Sequence, residues 1–247
     1  MMSKNFFDSL TRFRGFFRFI LKWGKRFVII FVKSLLLLTV REDGRKTTMN
    51  IVCLDMEGVV VPEIWIAFAQ ASGIPELKRT TRDEPDYGKL MRWRLDILEE
   101  HGLGIREIQE TIAKIDPLPG AREFLDELRA VTQVVILSDT FEEFAMPLMK
   151  KLGWPTLLCN SLEIRPDGII SDIRMRVRDS KLTTVRALQS IGYDTIACGD
   201  SYNDLDMILA SKAGFLFRST EKIKADYPQL PAYETYSDLL AAIREVL

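Results

Sequence analysis

From residue 50 onward the chain alternates short apolar runs with longer stretches in which apolar positions recur every three or four residues. Ile51-Val52-Cys53-Leu54, Val134-Val135-Ile136-Leu137 and Thr195-Ile196-Ala197-Cys198 are apolar or β-branched throughout, and each leads into an acid or hydroxyl: Asp55, Ser138 and, after Gly199, Asp200. Uninterrupted runs of this length predict strands buried on both faces, as in a parallel sheet. Ala121–Ala130, Phe141–Leu152 and Lys181–Ile191 carry helical periodicity between them. That alternation predicts an α/β fold, a doubly wound, Rossmann-like parallel sheet with helices on both faces. Ligands of such sheets bind at the carboxyl ends of the strands, where Asp55, Ser138 and Asp200 fall.

Two stretches break the alternation. Residues 63–117 have helix-like spacing, as at Leu90, Arg94, Ile97 and Leu98, and end at Pro117-Leu118-Pro119-Gly120; they predict a small helical cap inserted into a core made of 49–62 and 118–247. Residues 162–177 hold Pro166-Asp167-Gly168 between two β-prone segments and predict a hairpin beside the sheet.

Residues 1–48 are different in kind. They carry eleven Lys or Arg against three Asp or Glu, a charge of +8, and leave the remainder at 23 basic against 32 acidic, a charge of −9. Nine Phe or Trp residues between Phe6 and Phe31 interleave with the cations. The run Phe27–Val40 contains Lys33 and is shorter than the roughly 20 residues that cross a bilayer, and no small-residue cleavage site follows it. Two readings stand: a basic, aromatic helix lying on an anionic membrane surface, or upstream sequence with Met49 as the original start. In both, the extension is separate from the core and is the one route to membrane contact.

At 247 residues with 47% hydrophobic and 28% charged, the chain can bury a sizeable core. The acidic body has no broad basic face, which argues against nucleic acid and for a small substrate held by a few placed cations. Cys53, Cys159 and Cys198 form no CxxC pair, and read as reduced thiols of a cytoplasmic protein. The single histidine, His101, follows Glu99-Glu100 and precedes Gly102, a helix-end cation.

Asp55-Met56-Glu57-Gly58-Val59 directly after a buried strand, then Ser138, Lys181 and Gly199-Asp200-Ser201-Tyr202-Asn203-Asp204 in that order, resemble the haloacid dehalogenase superfamily. The chemistry explains the residue types. A carboxylate attacks phosphorus only if cations neutralise the phosphoryl oxygens, and Mg2+ prefers a few carboxylates with phosphate and water. Asp55, Asp200 and Asp204 can supply these, and the resemblance adds the backbone carbonyl of Glu57. It implies that Asp55 forms an aspartyl-phosphate, that Lys181 and Ser138 hold the transferring oxygens, and that Glu57 is the general acid and base.

The second acid of that motif is usually Asp; Glu57 is one methylene longer. Asp139-Thr140 stand after Ser138 where phosphoserine phosphatases commonly carry a glycine pair. Both departures, with Val61–Ala69, Thr80-Thr81-Arg82-Asp83 and Leu137–Thr140, resemble bacterial phosphoserine phosphatases that also transfer phosphate to homoserine. That resemblance implies O-phospho-L-serine as substrate and homoserine as a second acceptor, with Glu63 on the ammonium, Arg94 on the carboxylate, and Ser138, Asp139, Lys181 and Asn203 around the phosphate. Read alone, Glu63 is a first-turn helix acid and Arg94 an exposed helix cation. The same chemistry on another phosphorylated metabolite, or a membrane-surface interaction protein with a relic core, are the competing readings. Oligomeric state is not legible.

Overall fold

The structure, a computed structural model, describes residues 49–80, 83, 84 and 86–247. The expectations for 1–48, and for Thr81 and Arg82, lie outside the described residues. Seven strands form one sheet in the order β4-β3-β2-β1-β5-β6-β7. They are β1 (Met49–Leu54), β2 (Gln133–Phe141), β3 (Thr156–Ile164), β4 (Ile170–Arg174), β5 (Tyr193–Gly199), β6 (Ala213–Phe217) and β7 (Ala232–Tyr233). All neighbours pair parallel except β3 and β4, the antiparallel hairpin predicted around Pro166-Asp167-Gly168. β1 is central, with Leu54 level with Ile136 of β2 on one side and Cys198 of β5 on the other. The chain runs outward from β1 to β4, then returns to β5, so the strand order reverses beside β1 and opens a crevice there.

The helices are α1 (Ile64–Ser72), α2 (Tyr87–Glu100), α3 (Ile105–Ile112), α4 (Ala121–Arg129), α5 (Glu142–Lys151), α6 (Ser180–Ser190), α7 (Leu205–Ala210), α8 (Glu221–Asp226) and α9 (Tyr236–Val246). The sheet separates two apolar layers because side chains alternate along each strand. Val52, Leu54, Ile136 and Ile196 point to the side packed by Phe124, Phe144 and Leu239 of α4, α5 and α9. Ile51, Cys53, Val135 and Ala197 point to Val185, Met207 and Ile223 of α6, α7 and α8. Each fully buried Leu, Ile or Phe in these layers contributes about 1.5–3 kcal/mol. Cys53 and Cys198 are buried free thiols, Cys159 a partly buried one.

Residues 63–117 hold α1, α2 and α3 and, among the described residues, contribute no strand to the sheet. Asp86 caps α2 by accepting the N–H of Lys89 at 3.1 Å, and His101 is its C-cap, as the sequence predicts. α3 is fastened to α5 through a backbone defect. Pro147 lies inside α5 and has no N–H for the carbonyl of Glu143; the Gln109 side chain of α3 donates to that carbonyl instead, at 2.9 Å. Among the described residues no helix is long and apolar enough to cross a membrane.

Candidate active site

Asp55 is the first residue beyond β1, and its N–H donates to the Cys198 carbonyl of β5 at 2.9 Å. The parallel ladder thus carries one step past the strand and fixes the Asp55 backbone between β2 and β5. The chain then turns tightly: Gly58 has φ +76, its N–H donates to the Val61 carbonyl at 2.8 Å, and Met56 accepts from the N–H groups of Val60 and Val61. A side chain at Gly58 would be strained, and its Cβ would lie 2.5 Å from an Asp200 carboxylate oxygen. The turn therefore runs directly against the loop after β5. The Tyr236 ring stacks on Phe124 and on Phe217, and its hydroxyl donates to the Val59 carbonyl at 2.6 Å, which ties the turn to α9.

Lys181 lies in the first turn of α6, whose apolar face packs on the β2 and β5 side of the sheet. Its ammonium donates to Asp55 Oδ1 at 2.7 Å and Asp204 Oδ1 at 2.6 Å. All three side chains are buried, Lys181 at 4% exposure. The other Asp204 oxygen accepts the N–H groups of Asp200 and Ser201 at 3.1 and 3.0 Å, which folds the loop after β5 around it. Gly199 is required there, since a Cβ would meet Asp204 at 2.3 Å.

The charges do not balance. Asp55, Asp200 and Asp204 bring three carboxylates whose oxygens lie within 4.8 Å of one another, against one ammonium. Burial and the neighbouring Asp204 raise the Asp55 carboxyl well above the ordinary range, with Lys181 opposing. Burial, then Asp204 and Glu63, push Asp200 up to about 7. Burial disfavours the Lys181 ammonium, but Asp204 and Asp55 outweigh it and raise its pKa. A pocket with this surplus of hard oxygen donors fits a divalent cation.

On the other wall, Glu57 is partly buried and accepts the Ile64 N–H of α1 at 2.9 Å. Burial, with the Glu63 carboxylate beside it, pushes Glu57 up to about 8. Glu63 is the exposed N-cap residue of α1, and its side chain makes no capping bond.

Arg94 is not the exposed helix cation its residue type suggests on its own. It is 5% exposed, its guanidinium lies 4.4 Å from the Trp65 ring centre, and Nη2 donates to the Arg79 carbonyl at 2.6 Å. Burial lowers its pKa to about 10, with Tyr87, Glu57 and Glu63 opposing, so it stays protonated at neutral pH. Its buried Nε finds no acceptor among the described residues. Trp65 is thus the apolar floor under a cation as well as a core residue, packing edge-on against Phe144 at 5.2 Å.

Ser138 is buried within β2, just past Leu137 where the regular pairing with β3 breaks, and its hydroxyl accepts the Thr140 N–H at 3.2 Å. Asp139 accepts from the Asn203 amide at 3.1 Å and the Ser180 hydroxyl at 3.0 Å, while its carbonyl accepts from Asn160 at 3.0 Å. The structure thus joins Asp55, Lys181, Asp200 and Asp204 directly, links Asp139 to Asn203, and sets Glu57 beside Glu63. Three participants escape the sequence reading. Tyr87 stands seven residues before Arg94 on the same face of α2; it is half-buried, its hydroxyl donates to the Asp139 carbonyl at 3.5 Å, and Asp139, Arg94 and Glu57 are its charged neighbours. Asn160 is a buried polar residue in a β-prone run. Ser180 is adjacent to Lys181. The seven-residue spacing to Arg94 was the one available signal.

The sequence model of the haloacid dehalogenase-like hydrolase family matches residues 77–209. Over 191 residues the chain is 55% identical to phosphoserine phosphatase ThrH of Pseudomonas aeruginosa, covering 77% of this chain and 93% of that protein. It is 50% identical to a phosphoserine phosphatase of Pseudomonas syringae pv. tomato, over 77% of this chain and 81% of the relative. A solved phospho-aspartyl intermediate analogue of phosphoserine phosphatase shares the fold, with a TM-score of 0.64 over 79% of this chain and 99% of the other, at 20% identity. Identity of this depth across nearly the full length of a relative agrees with carboxylates and a lysine gathered at the strand ends, and the chain belongs to the haloacid dehalogenase-like hydrolases.

Proposed function

We propose that the protein is a Mg2+-dependent phosphoserine phosphatase that works through an aspartyl-phosphate on Asp55 and also hands the phosphoryl group to homoserine. The observation that carries the substrate reading is Arg94. A buried guanidinium over Trp65 with an unpartnered Nε, set beside Glu57 and Glu63, is a receptor for a planar carboxylate. Glu63 supplies the countercharge for an ammonium. An amino acid phosphate presents both groups, and its phosphate then falls toward the strand ends.

Lys181 orients the Asp55 carboxylate and, with the Ser138 hydroxyl and Asn203, compensates charge on the transferring oxygens. Asp55 attacks phosphorus, the bond from phosphorus to the serine oxygen breaks, and Glu57, protonated because its pKa lies near 8, gives its proton to that oxygen. Glu57 next takes the proton of water or of the homoserine hydroxyl as that oxygen attacks the phosphorus. Asp55 is freed, and inorganic phosphate or O-phosphohomoserine leaves. Mg2+ held by Asp55, Asp200, Asp204 and the Glu57 carbonyl would neutralise the phosphoryl oxygens during both steps. Residues 63–117 act as the cap that closes over the substrate, with 49–62 and 118–247 as the catalytic core. Free, mostly buried thiols fit a reducing compartment, and we place the protein in the cytoplasm.

Incubating the protein with phosphate-labelled O-phospho-L-serine, Mg2+ and saturating homoserine should give both labelled inorganic phosphate and labelled O-phosphohomoserine, and EDTA should abolish both. Phosphate alone would remove the transferase activity; no release at all would remove phosphoserine as substrate.

Replacing Arg94 with Ala should lower kcat/KM on phosphoserine by about 10²-fold, the scale of a buried charge-assisted pair. On phosphoethanolamine, which has the ammonium but no carboxylate, the loss should stay within about threefold. Equal losses on the two esters would make Arg94 a packing residue.

A further inference from the structure

Asp139 follows the buried Ser138 at the site, yet its side chain is already committed. Oδ1 accepts the Ser180 hydroxyl at 3.0 Å and Oδ2 accepts the Asn203 amide at 3.1 Å. Ser180 precedes Lys181 in the first turn of α6, and Asn203 precedes Asp204 in the turn after β5. Those two neighbours are the ammonium and carboxylate that meet at 2.6 Å over Asp55. One carboxylate in the irregular part of β2 therefore reaches both segments that deliver the buried ion cluster.

Its backbone is held as firmly. The Asp139 carbonyl accepts from Asn160 of β3, which is 2% exposed, and the Asn160 side-chain oxygen accepts the Arg176 N–H at 3.0 Å. These bonds fall where the β2 to β3 pairing shifts register, between Leu137 and Phe141. They anchor a residue that the regular ladder no longer fixes. At α6, the N-cap residue Asp179 is left-handed with φ +48 and makes no side-chain capping bond. Asp139 brings an acceptor and a negative charge to that helix start from a different element.

We propose that the Asp139 carboxylate is a positioning residue, which ties Ser180 to Asn203 and so keeps Lys181 and Asp204 in register on Asp55, and that it does not itself contact the transferred phosphate. Like charges at contact repel, and both oxygens have donors in the protein. The inference rests on the phosphoryl-transfer reading of the Asp55 site and not on the identity of the substrate.

The test is a double-mutant cycle between Asp139→Ala and Ser180→Ala, assayed in parallel on phosphoserine and on para-nitrophenyl phosphate. Asp139→Ala should lower kcat by about 10- to 100-fold on both esters with KM within about threefold, the pattern of misplaced catalytic groups. Ser180→Ala should lower kcat by about three- to tenfold, and the double variant should match Asp139→Ala within about twofold, because both changes remove one linkage. A rise in KM with kcat preserved would make Asp139 a substrate ligand and overturn the proposal, as would losses that multiply.

If Asp139→Ala fails to fold, Asp139→Asn takes its place: it keeps one acceptor oxygen and should show an intermediate loss of kcat, and wild-type kcat would overturn the proposal. Wild-type turnover of the aryl ester without phosphoserine would refute the substrate assignment and leave the Asp139 cycle readable. Turnover of neither would remove both readings.

Discussion

Asp55→Asn is expected to reduce phosphoserine turnover below about a hundredth of wild type, a barrier increase of at least ~2.7 kcal/mol, while leaving the fold intact. The amide is a poor nucleophile and cannot form the acyl phosphate. The stability side separates this from a structural lesion. Burial and Asp204 already hold the Asp55 carboxyl above its ordinary range, so an uncharged isostere removes one of three crowded carboxylates and leaves Lys181 its bond to Asp204. The metal-free variant should therefore melt within a few degrees of the wild type at neutral pH. Residual activity above about a hundredth would contradict the nucleophile assignment, and a collapse in melting temperature would show that Asp55 is chiefly structural.

Lys181→Met should do the opposite to stability while also removing turnover. Methionine fills the volume but deletes the one cation among Asp55, Asp200 and Asp204. Breaking a buried pair by taking away one partner costs about 3–5 kcal/mol, which for a chain of this size is a fall of roughly 6–20 °C in melting temperature in EDTA. The pH dependence follows from the same charges. Carboxyls with raised folded pKa values contribute stability that is fully present below their unfolded values near 4 and is lost as pH rises through the folded values. Lys181 is what lowers Asp55, so without it the folded values rise further. The gap between variant and wild type should be small near about pH 4 and widen toward the range where Asp200 titrates, about 7. A gap that is constant with pH would mean that Lys181 stabilises by packing alone.

Much of this site was legible before any coordinates. The apolar runs before Asp55, Ser138 and Asp200 became β1, β2 and β5 at the centre of the sheet, with β2 running on past Ser138 to Phe141, and the periodic stretches became α4, α5 and α6 within a residue at every terminus. Such signals are local: a strand buried on both faces must be apolar at every position, and a helix must repeat every three to four. The ordered acids also followed strands, where a doubly wound sheet opens its crevice, and the lysine stood in the first turn of α6.

Arg94 shows where local information stops. By residue type it is a solvated helix cation; it is buried because α1 brings Trp65 beneath it, with Glu63 at the start of α1 and Glu57 in the turn after β1 as charged neighbours. Asp139 gave no sign of being a connector, since its donors Ser180 and Asn203 lie 41 and 64 residues away. Lys181 and Asp55 are 126 residues apart. The amino-acid pattern by itself determined the strands, the helices and which chemical groups stood at their ends, because those depend on neighbours along the chain. Only the tertiary structure decided which of these groups share a proton, an ion pair or a linkage, because burial and charge coupling act through space and depend on the register of β1 between β2 and β5.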